Sequence, residues 1–371
     1  MDAEYIVVGG GVVGLAVAAG LRRLERSVMV IDGTDTDFRA SRGNFGLVWV
    51  QSKGIGCPDY ARWSRRSAAA WPGFADELRR ETGVDLMLVQ EGGYDFFLSE
   101  QALQQRAAQY AELRDQLGGD YPFEVLDQPR LKREEPAVGP GVAGALFCPE
   151  DGHVNPLVLL RALTEYLARS GGRIVSGAQI ASVEPASTRG FTVRAEDGRR
   201  FGCERVVLCA GLGAARLGPP LGFLAPVQPQ RGQVLVTEKL RPLLRRPSVT
   251  IRQVNEGGVQ IGDSKENVGY DDRETLATTA AIARRAVATI PALARARLVR
   301  SWAALRVMSP DGLPIYQRSS AHPGAFLVTC HSGITLAAAH CELLPKWLVG
   351  ADDAPSMEVF GEARFNVRAA A

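Results

Sequence analysis

The sequence of 371 residues has few cysteines and histidines, and neither type is spaced for a metal site. Its six cysteines include no C-x-x-C pair, which argues against a zinc knuckle and against a disulfide framework. The four histidines show no metal-ligand spacing, and no serine–histidine–aspartate arrangement has support in the sequence. We therefore expect reduced intracellular thiols and no metal.

The chain also lacks a strong net charge and a long apolar run. A formal net charge of +2, with dispersed arginines, argues against a dedicated nucleic-acid-binding protein. The apolar segment 6–21 contains five glycines and follows Asp2 and Glu4 rather than basic residues, unlike a signal peptide. It is also shorter than the ~20 residues that a membrane span needs. We expect a soluble, cytoplasmic protein.

The N-terminal residues carry a dinucleotide-binding pattern instead. A short apolar strand, residues 4–8, runs into Gly9-x-Gly11-x-x-Gly14, and a helical pattern follows at residues 15–24. Gly9 allows the tight turn, Gly11 lets a pyrophosphate approach the backbone, and Gly14 lets helix and strand pack closely. A second strand, 27–31, ends on Asp32, whose carboxylate can accept hydrogen bonds from the ribose of an adenosine. This order predicts a Rossmann-type dinucleotide site.

Later segments favour FAD over NAD. The stretch 40–47 is small and polar where a Rossmann NAD enzyme usually carries its third βα unit. Far along the chain, a buried strand breaks at Ala210-Gly211, which lets the backbone approach a cofactor. Near the C-terminus, strand 325–329 leads through His331-Ser332-Gly333 into a helix. Free amides at such a turn suit the negative charge of a reduced flavin.

Together these segments resemble the D-amino-acid oxidase superfamily, in the branch of glycine oxidase and sarcosine oxidase. The resemblance covers nearly the whole chain and also rests on the run 305–314. It implies an FAD cofactor and an α/β fold, in which a Rossmann-type FAD-binding domain is interleaved with an α+β substrate domain of mixed and antiparallel sheet. We expect the FAD-binding domain at 1–74, 147–216 and 300–371, and the substrate-binding domain at 75–146 and 217–299.

Within the two inserts, a few patterns predict secondary structure. The first insert contains a charge-rich helical stretch at 99–117. The second shows alternating strand patterns at 233–237, 249–253 and 258–262.

The resemblance also implies which residues bind FAD. In relatives, an apolar residue shortly after a Gly-Gly-x-Ile strand contacts the adenine, and here that residue is Ile180. The chain departs from the family pattern at Cys330, where many relatives carry glycine before the histidine. The expected cofactor-binding residues are Gly9, Gly11, Val12, Val13, Gly14, Asp32, Gly33, Ala40, Ser41, Asn44, Gly46, Leu47, Ile180, Ala210, Gly211, Ser332, Gly333, Ile334, Thr335 and Leu336.

The predicted catalytic residues are Arg306 and His331. Arg306 occupies the position at which glycine oxidase-like proteins place an arginine that binds the substrate carboxylate. A guanidinium matches the two carboxylate oxygens and stays charged when buried. The alternative is a structural arginine that bonds backbone carbonyls beside Asp311. His331 either faces the flavin and substrate or caps its turn, and Lys53 either reaches the flavin ring or is a solvated charge.

Within this branch the chain is most similar to flavoprotein subunits of heteromeric dehydrogenases: the flavin subunit of hydrogen cyanide synthase, the opine oxidase B subunits and the D-hydroxyproline dehydrogenase β subunit. The similarity to these subunits rests on three segments, residues 44–49, 251–263 and 302–314. The resemblance implies hydride transfer from the Cα of a small amine or amino acid to flavin N5. D-Hydroxyproline is the first expected substrate, with a second flavoprotein or a ferredoxin-like subunit as partner. The alternatives are an opine oxidase, a stand-alone glycine or sarcosine oxidase that produces hydrogen peroxide, and a non-catalytic electron-transfer component.

Overall fold

A computed structural model describes residues 1–33, 40–187 and 189–366 of the chain. Its strands, in chain order, are β1 (Ala3–Val8), β2 (Val28–Ile31), β3 (Leu47–Val48), β4 (Gly93–Phe97), β5 (Glu124–Asp127), β6 (Gly144–Cys148), β7 (Gly152–His153), β8 (Arg173–Val175), β9 (Ile180–Pro185), β10 (Phe191–Ala195), β11 (Arg200–Leu208), β12 (Gln228–Lys239), β13 (Ile251–Gln253), β14 (Gly258–Ile261), β15 (Leu298–Met308), β16 (Ile315–Arg318) and β17 (Ala325–Thr329). Its α-helices are α1 (Val12–Arg23), α2 (Pro58–Thr82), α3 (Glu100–Gln116), α4 (Gln128–Glu134), α5 (Pro156–Arg169), α6 (Ala214–Leu217), α7 (Leu276–Thr289), α8 (Ala337–Glu342), α9 (Leu344–Val349) and α10 (Ala363–Asn366).

The largest sheet contains the predicted Rossmann unit. Its strand order is β16-β17-β11-β1-β2-β8, and β9 and β10 extend it by antiparallel pairing that begins at β11. β1 runs parallel to β2 and β11, and β11 runs parallel to β17, so the carboxyl ends of these strands meet at one edge. Ligands of open parallel sheets bind beyond that edge. The expected cofactor turns after β1, β11 and β17 are therefore brought together.

Helix α1 packs against this sheet through an almost completely buried surface. It begins at Val12, directly after Gly11, which is earlier than the predicted start at residue 15. The apolar pattern missed the first turn because the glycine turn itself forms it. Further along, a Cβ at Gly20 would lie 2.1 Å from the carbonyl oxygen of Cys341 on α8. The absence of a side chain thus sets the distance between α1 and α8.

The second insert forms a separate antiparallel sheet of order β13-β14-β12-β15. Helix α7 packs on it through Ile282 and Ala286, which join a small buried cluster with residues of the sheet. A third sheet, β4-β6-β5, carries α3 and α4. The predicted helix at 99–117 and strands at 233–237, 249–253 and 258–262 are confirmed, with shifted ends. The mixed α/β fold with parallel and antiparallel sheets is confirmed as well.

The expected domain boundaries fall within single elements. Residues 74, 147 and 300 lie inside α2, β6 and β15. β15 pairs with β12 from Leu298 to Met308, so the antiparallel sheet continues past the expected boundary into the last segment. The division into two domains stays a proposal, and residues 367–371 lie outside the described part. Among the described helices, none is long and apolar enough to cross a membrane.

We predict that Gly20→Ala destabilises the fold although position 20 lies away from the cofactor turns. The added methyl group would overlap the Cys341 carbonyl, and such overpacking typically costs about 1–3 kcal/mol. Gly73→Ala is the matched control, because Gly73 is exposed on α2 and a methyl group there would meet no heavy atom within 4 Å. Because alanine loses less backbone entropy in a helix than glycine, Gly73→Ala should raise the free energy of unfolding by roughly 0.5–1 kcal/mol. Urea unfolding measures both free energies, and equal stabilities would contradict this account of α1 packing.

Candidate cofactor-binding and active site

The turn between β1 and α1 is too tight for side chains at two of its glycines. A Cβ at Gly9 would lie 2.4 Å from the carbonyl oxygen of Cys209, and one at Gly14 would lie 2.0 Å from the carbonyl oxygen of Gly9. Gly9 also has a φ of +111°, which other residues rarely adopt. At Gly11 the nearest atom would be Ser41 Oγ at 3.1 Å. Gly9 and Gly14 are thus required by the turn itself, whereas Gly11 has more space around it.

A cavity of about 500 Å³ opens beyond the carboxyl ends of β1, β11 and β17. This volume lies in the range of sites that hold a small molecule or cofactor. It brings together segments from near the two ends of the chain. The expected site residues that line it are Gly9, Gly11, Val12, Val13, Asp32, Ala40, Ser41, Asn44, Ala210, Gly211, His331 and Gly333.

The other expected residues lie around this cavity rather than on its wall. They are Gly14, Gly33, Gly46, Leu47, Ile180, Arg306, Ser332, Ile334, Thr335 and Leu336. Ile180 is buried in a hydrophobic core cluster, and Ile174 and Ser176 line the cavity instead. Gly46 has a φ of +87°, and a Cβ there would lie 2.7 Å from Nη2 of Arg252. Gly46 therefore makes room for an arginine of the antiparallel sheet.

Sequence reasoning missed one wall of the cavity, which is formed by α5. The residues are Leu157, Leu160, Arg161 and Thr164. Their spacing of three to four residues places them on one helical face, which the sequence does show. The pattern does not reveal which part of the fold that face meets, so only the tertiary structure identifies it as a cavity wall.

Asp32 and Ser41 tie two cofactor segments to the glycine turn. The amide of Gly10 donates to Asp32 Oδ1 at 2.9 Å, and the amide of Val12 donates to Ser41 Oγ at 3.0 Å. Both side chains also line the cavity. The geometry places a carboxylate at the end of β2 next to the start of α1, as expected for the adenosine half of a dinucleotide.

The turn after β17 presents unpaired amides. Gly333, Ile334 and Thr335 are buried, and their amides donate to no acceptor among the described residues. Buried amides are almost always paired, so a missing partner at this point calls for an acceptor from a ligand. A Cβ at Gly333 would lie 3.0 Å from Val12 Cγ1, so the turn packs on the start of α1. This donor set fits the negatively polarised edge of a flavin.

Residues that follow β3 and residues of α2 form hydrogen bonds with the same turn. Thr335 Oγ1 accepts from the amide of Trp49 at 3.1 Å, and the carbonyl oxygen of Thr335 accepts from Ser67 Oγ at 2.7 Å. Lys53 Nζ donates to Ser332 Oγ at 2.6 Å, and burial lowers the pKa of Lys53 to about 8. Lys53 is thus a half-buried group bonded to the turn rather than a fully solvated charge.

His331 lies on the cavity wall as a neutral residue. Burial, together with the nearby cations Lys53 and Arg306, lowers its pKa to about 3. A neutral imidazole can exchange hydrogen bonds with a ligand, but it supplies no positive charge at neutral pH. The cationic group for an anionic substrate must therefore come from another residue.

Arg306 is a residue of β15, and its side chain extends over the neighbouring strand β12. Its guanidinium donates hydrogen bonds to protein acceptors. Its Nη1 donates to the carbonyl oxygen of Ser264 at 2.7 Å, and its Nη2 pairs with Asp263 Oδ2 at 3.2 Å. Nε donates to no described residue, whereas Nη1 and Nη2 both have protein acceptors. A Cβ at Gly232 would lie 2.5 Å from this guanidinium, so glycine on β12 makes room for it. The alternative interpretation placed a structural Arg306 beside Asp311. Asp311 pairs with Arg364 instead.

The parallel sheet, the glycine turn with its acid and the amide-rich turn near the C-terminus define a flavoprotein of the FAD-dependent oxidoreductase class. The family described as FAD dependent oxidoreductase (DAO) matches residues 4–347, and the chain belongs to this family. Its cofactor is FAD, and it is an enzyme of the class that acts on C–N bonds of amines or amino acids. The predicted resemblance is confirmed.

Individual relatives cover nearly the whole chain. It is 40% identical over 370 residues to the B subunit of opine oxidase from Agrobacterium tumefaciens, covering 100% of this chain and 99% of that protein. It is 28% identical over 356 residues to the HcnC subunit of hydrogen cyanide synthase from Pseudomonas aeruginosa, covering 84% of each. The crystal structure of glycine oxidase from Geobacillus kaustophilus matches with a TM-score of 0.89 and 26% identity, covering 97% of this chain and 98% of that one.

We predict that Gly11→Val gives a folded protein that has lost most of its FAD. A Cβ there would meet only Ser41 Oγ within 4 Å, but a branched side chain would occupy the space through which a pyrophosphate approaches the backbone. The ratio of flavin to protein absorbance should fall about tenfold or more, while circular dichroism stays that of wild type. Gly73→Ala should retain full FAD. Full flavin occupancy in Gly11→Val would show that the pyrophosphate does not lie at this turn.

Proposed function

We propose that this chain is the FAD-bearing catalytic subunit of a heteromeric dehydrogenase that oxidises an amino acid with a secondary amine. The observation that carries the proposal is the half-buried Arg306 guanidinium, whose Nε has no described acceptor and which lies near the neutral His331 of the flavin turn. A guanidinium N–H without an acceptor can donate a charge-assisted hydrogen bond to a carboxylate. The identity with an opine oxidase subunit supports the secondary amine, because opines are N-substituted amino acids.

The residues have distinct roles in this proposal. Bound FAD supplies the hydride acceptor. Arg306 binds the α-carboxylate, and its contacts with Ser264 and Asp263 fix the plane of the guanidinium before substrate arrives. Preorganisation of this kind orients the substrate Cα–H without a further conformational cost. His331 remains neutral and therefore does not compete with Arg306 for the carboxylate.

The electron acceptor is the second part of the proposal. The opine oxidase and hydrogen cyanide synthase relatives are both named as subunits, which supports transfer of electrons to a partner protein rather than to oxygen. The glycine oxidase likeness supports the stand-alone alternative. A non-catalytic electron carrier has no need for a carboxylate-binding guanidinium, so Arg306 argues against that third alternative. The identity of the partner, a second flavoprotein or a ferredoxin-like subunit, stays a prediction.

We predict that secondary-amine amino acids bleach the flavin absorbance under anaerobic conditions. The panel comprises opines, D- and L-hydroxyproline, sarcosine, and glycine as a primary-amine control. Opines should reduce the flavin fastest, and D-hydroxyproline, the first expected substrate, is tested in the same experiment. If no amine in the panel reduces the flavin, the proposed function is wrong.

The reduced protein should then reoxidise slowly in air and rapidly with an artificial dye acceptor. Slow reaction with oxygen is expected of a subunit that normally passes electrons to a partner. Stopped-flow absorbance after mixing with aerated buffer or with the dye compares the two rates. Rapid turnover by the isolated chain with air as the sole oxidant would favour the stand-alone oxidase.

Arg306→Ala should lower kcat/KM by roughly 30- to 4000-fold, since loss of a charge-assisted contact costs about 2–5 kcal/mol. Arg306→Lys should recover only part of the loss, because an ammonium lacks the planar fork. FAD content should stay near that of wild type. Asp263→Asn separates the alternatives, because it removes the charge of one structural partner and leaves the guanidinium in place. If Asp263→Asn and Arg306→Ala have equal effects on kcat/KM, Arg306 is structural.

A further inference from the structure

The segment that follows β3 bends sharply and directs Lys53 to the turn after β17. The carboxylate of the buried Asp151 accepts hydrogen bonds from the amides of Val50 and Gln51 and, at 2.7 Å, from Nε2 of Gln51. The amide of Lys53 then donates to the carbonyl oxygen of Val50 at 3.0 Å, which closes the bend. Nζ of Lys53 donates to Ser332 Oγ at 2.6 Å. The lysine is thus held between two elements that are far apart in the sequence.

The charge of Lys53 acts on the wall of the cofactor cavity. Cys330 and His331 both line that cavity. Burial raises the pKa of the Cys330 thiol to about 12, and the charge of Lys53 opposes this rise. The same charge contributes to the low pKa of His331. Ser332, which accepts from Nζ, directly precedes Gly333, the first of three residues with unpaired amides. Lys53 therefore adds a positive charge at the turn whose donors fit the negatively polarised edge of a flavin.

Three other cations near the cavity are exposed or already paired. Arg42 and Arg161 line the cavity and are exposed, so water and salt screen their charges. Arg306 has an anionic partner in Asp263. Lys53 differs from all three, because it is half-buried and its Nζ forms no ion pair among the described residues. Its charge is therefore the least compensated of the four.

The groups that surround Lys53 keep it protonated at neutral pH. Burial lowers its pKa to about 8, the attraction of Asp151 opposes this shift, and the exposed Lys265 adds to it. The hydroxyl of Tyr60 donates to the same Ser332 Oγ at 3.0 Å, and the centre of its ring lies 5.9 Å from Nζ. The ammonium form therefore predominates at pH 7 and is lost as the pH rises above about 8.

We propose that Lys53 tunes the reduction potential of the bound flavin, because its ammonium, held on Ser332, stabilises the negative charge of the reduced cofactor. A hydride carries two electrons and one proton, so its acceptor gains one negative charge. Charge beside the flavin is one means by which a protein adjusts this cofactor, and a single charge acts strongly where water is scarce. The cofactor is therefore easier to reduce while Lys53 is protonated. This inference goes beyond the proposed function, because it holds whichever amine is oxidised.

The midpoint potential of the holoenzyme, measured by anaerobic equilibration with a reference dye, tests this role. Lys53→Met keeps an unbranched side chain and removes the charge. At a fixed dye potential its ratio of reduced to oxidised flavin should fall roughly tenfold or more, which corresponds to a potential about 30 mV lower. Lys53→Arg keeps the charge and should stay near wild type. Lys239→Met makes the same change at an exposed position that lines neither cavity, and it should leave the potential unchanged.

The pH dependence of the wild-type potential is a second measurement, and it requires no variant to fold. Because reduction favours the ammonium form, Lys53 takes up a proton on reduction once the pH exceeds its pKa in the oxidised protein. The potential should therefore fall more steeply with rising pH above about 8 than just below it. Lys53→Met should lack this change of slope.

A wild-type potential in Lys53→Met would overturn the inference. An equal shift in Lys53→Arg and Lys53→Met would overturn it as well, since shape rather than charge would then be responsible. If Lys53→Met binds no FAD, the wild-type protein decides, and the absence of a steeper slope above pH 8 rejects the role of Lys53. None of these measurements uses an amine substrate, so failure of this inference and failure of the proposed function are distinguishable.

Discussion

The close approach of three backbone segments is the constraint on which the rest of the site depends. The end of β11 and the turn after β1 meet at distances that leave no space for side chains at Gly9 and Gly14, and the turn after β17 packs on Val12 through Gly333. This contact fixes where α1 begins, and it fixes where the unpaired amides of the turn after β17 lie relative to Asp32. The cofactor cavity is the space enclosed by these segments, so its shape depends on the missing Cβ atoms.

Strand β15 joins this cofactor site to the antiparallel sheet. It pairs with β12 along its length, and Val307, near its end, lines the cofactor cavity. Arg306 is the preceding residue, and in a strand adjacent residues point to opposite faces. Val307 thus lines the cavity, and the Arg306 guanidinium lies over β12, where Gly232 makes room for it. One strand thus connects the cavity with the antiparallel sheet.

Burial determines the charges of the active region more than the number of ionisable residues does. His331 and His153 are both kept neutral, whereas the arginines remain charged because their pKa starts so high. Arg306 has an anionic partner in Asp263, and the described partners of Arg252 are neutral. The two arginines thus differ in what they offer an anionic ligand, although the residue type is the same.

The sequence by itself determined the βα unit at the N-terminus, the FAD cofactor and the turns that line the cavity. Each of these depends on residues close together in the chain, such as Gly9, Gly11 and Asp32, whose spacing is imposed by local backbone geometry. The tertiary structure alone decided that α5 forms a cavity wall, that Ile180 lies in the core, and that Gly46 packs against Arg252. It also decided which partners Arg306 has, since Ser264 and Asp263 come from another part of the chain. Such contacts depend on how separate sheets and helices pack, and no spacing within one segment encodes that.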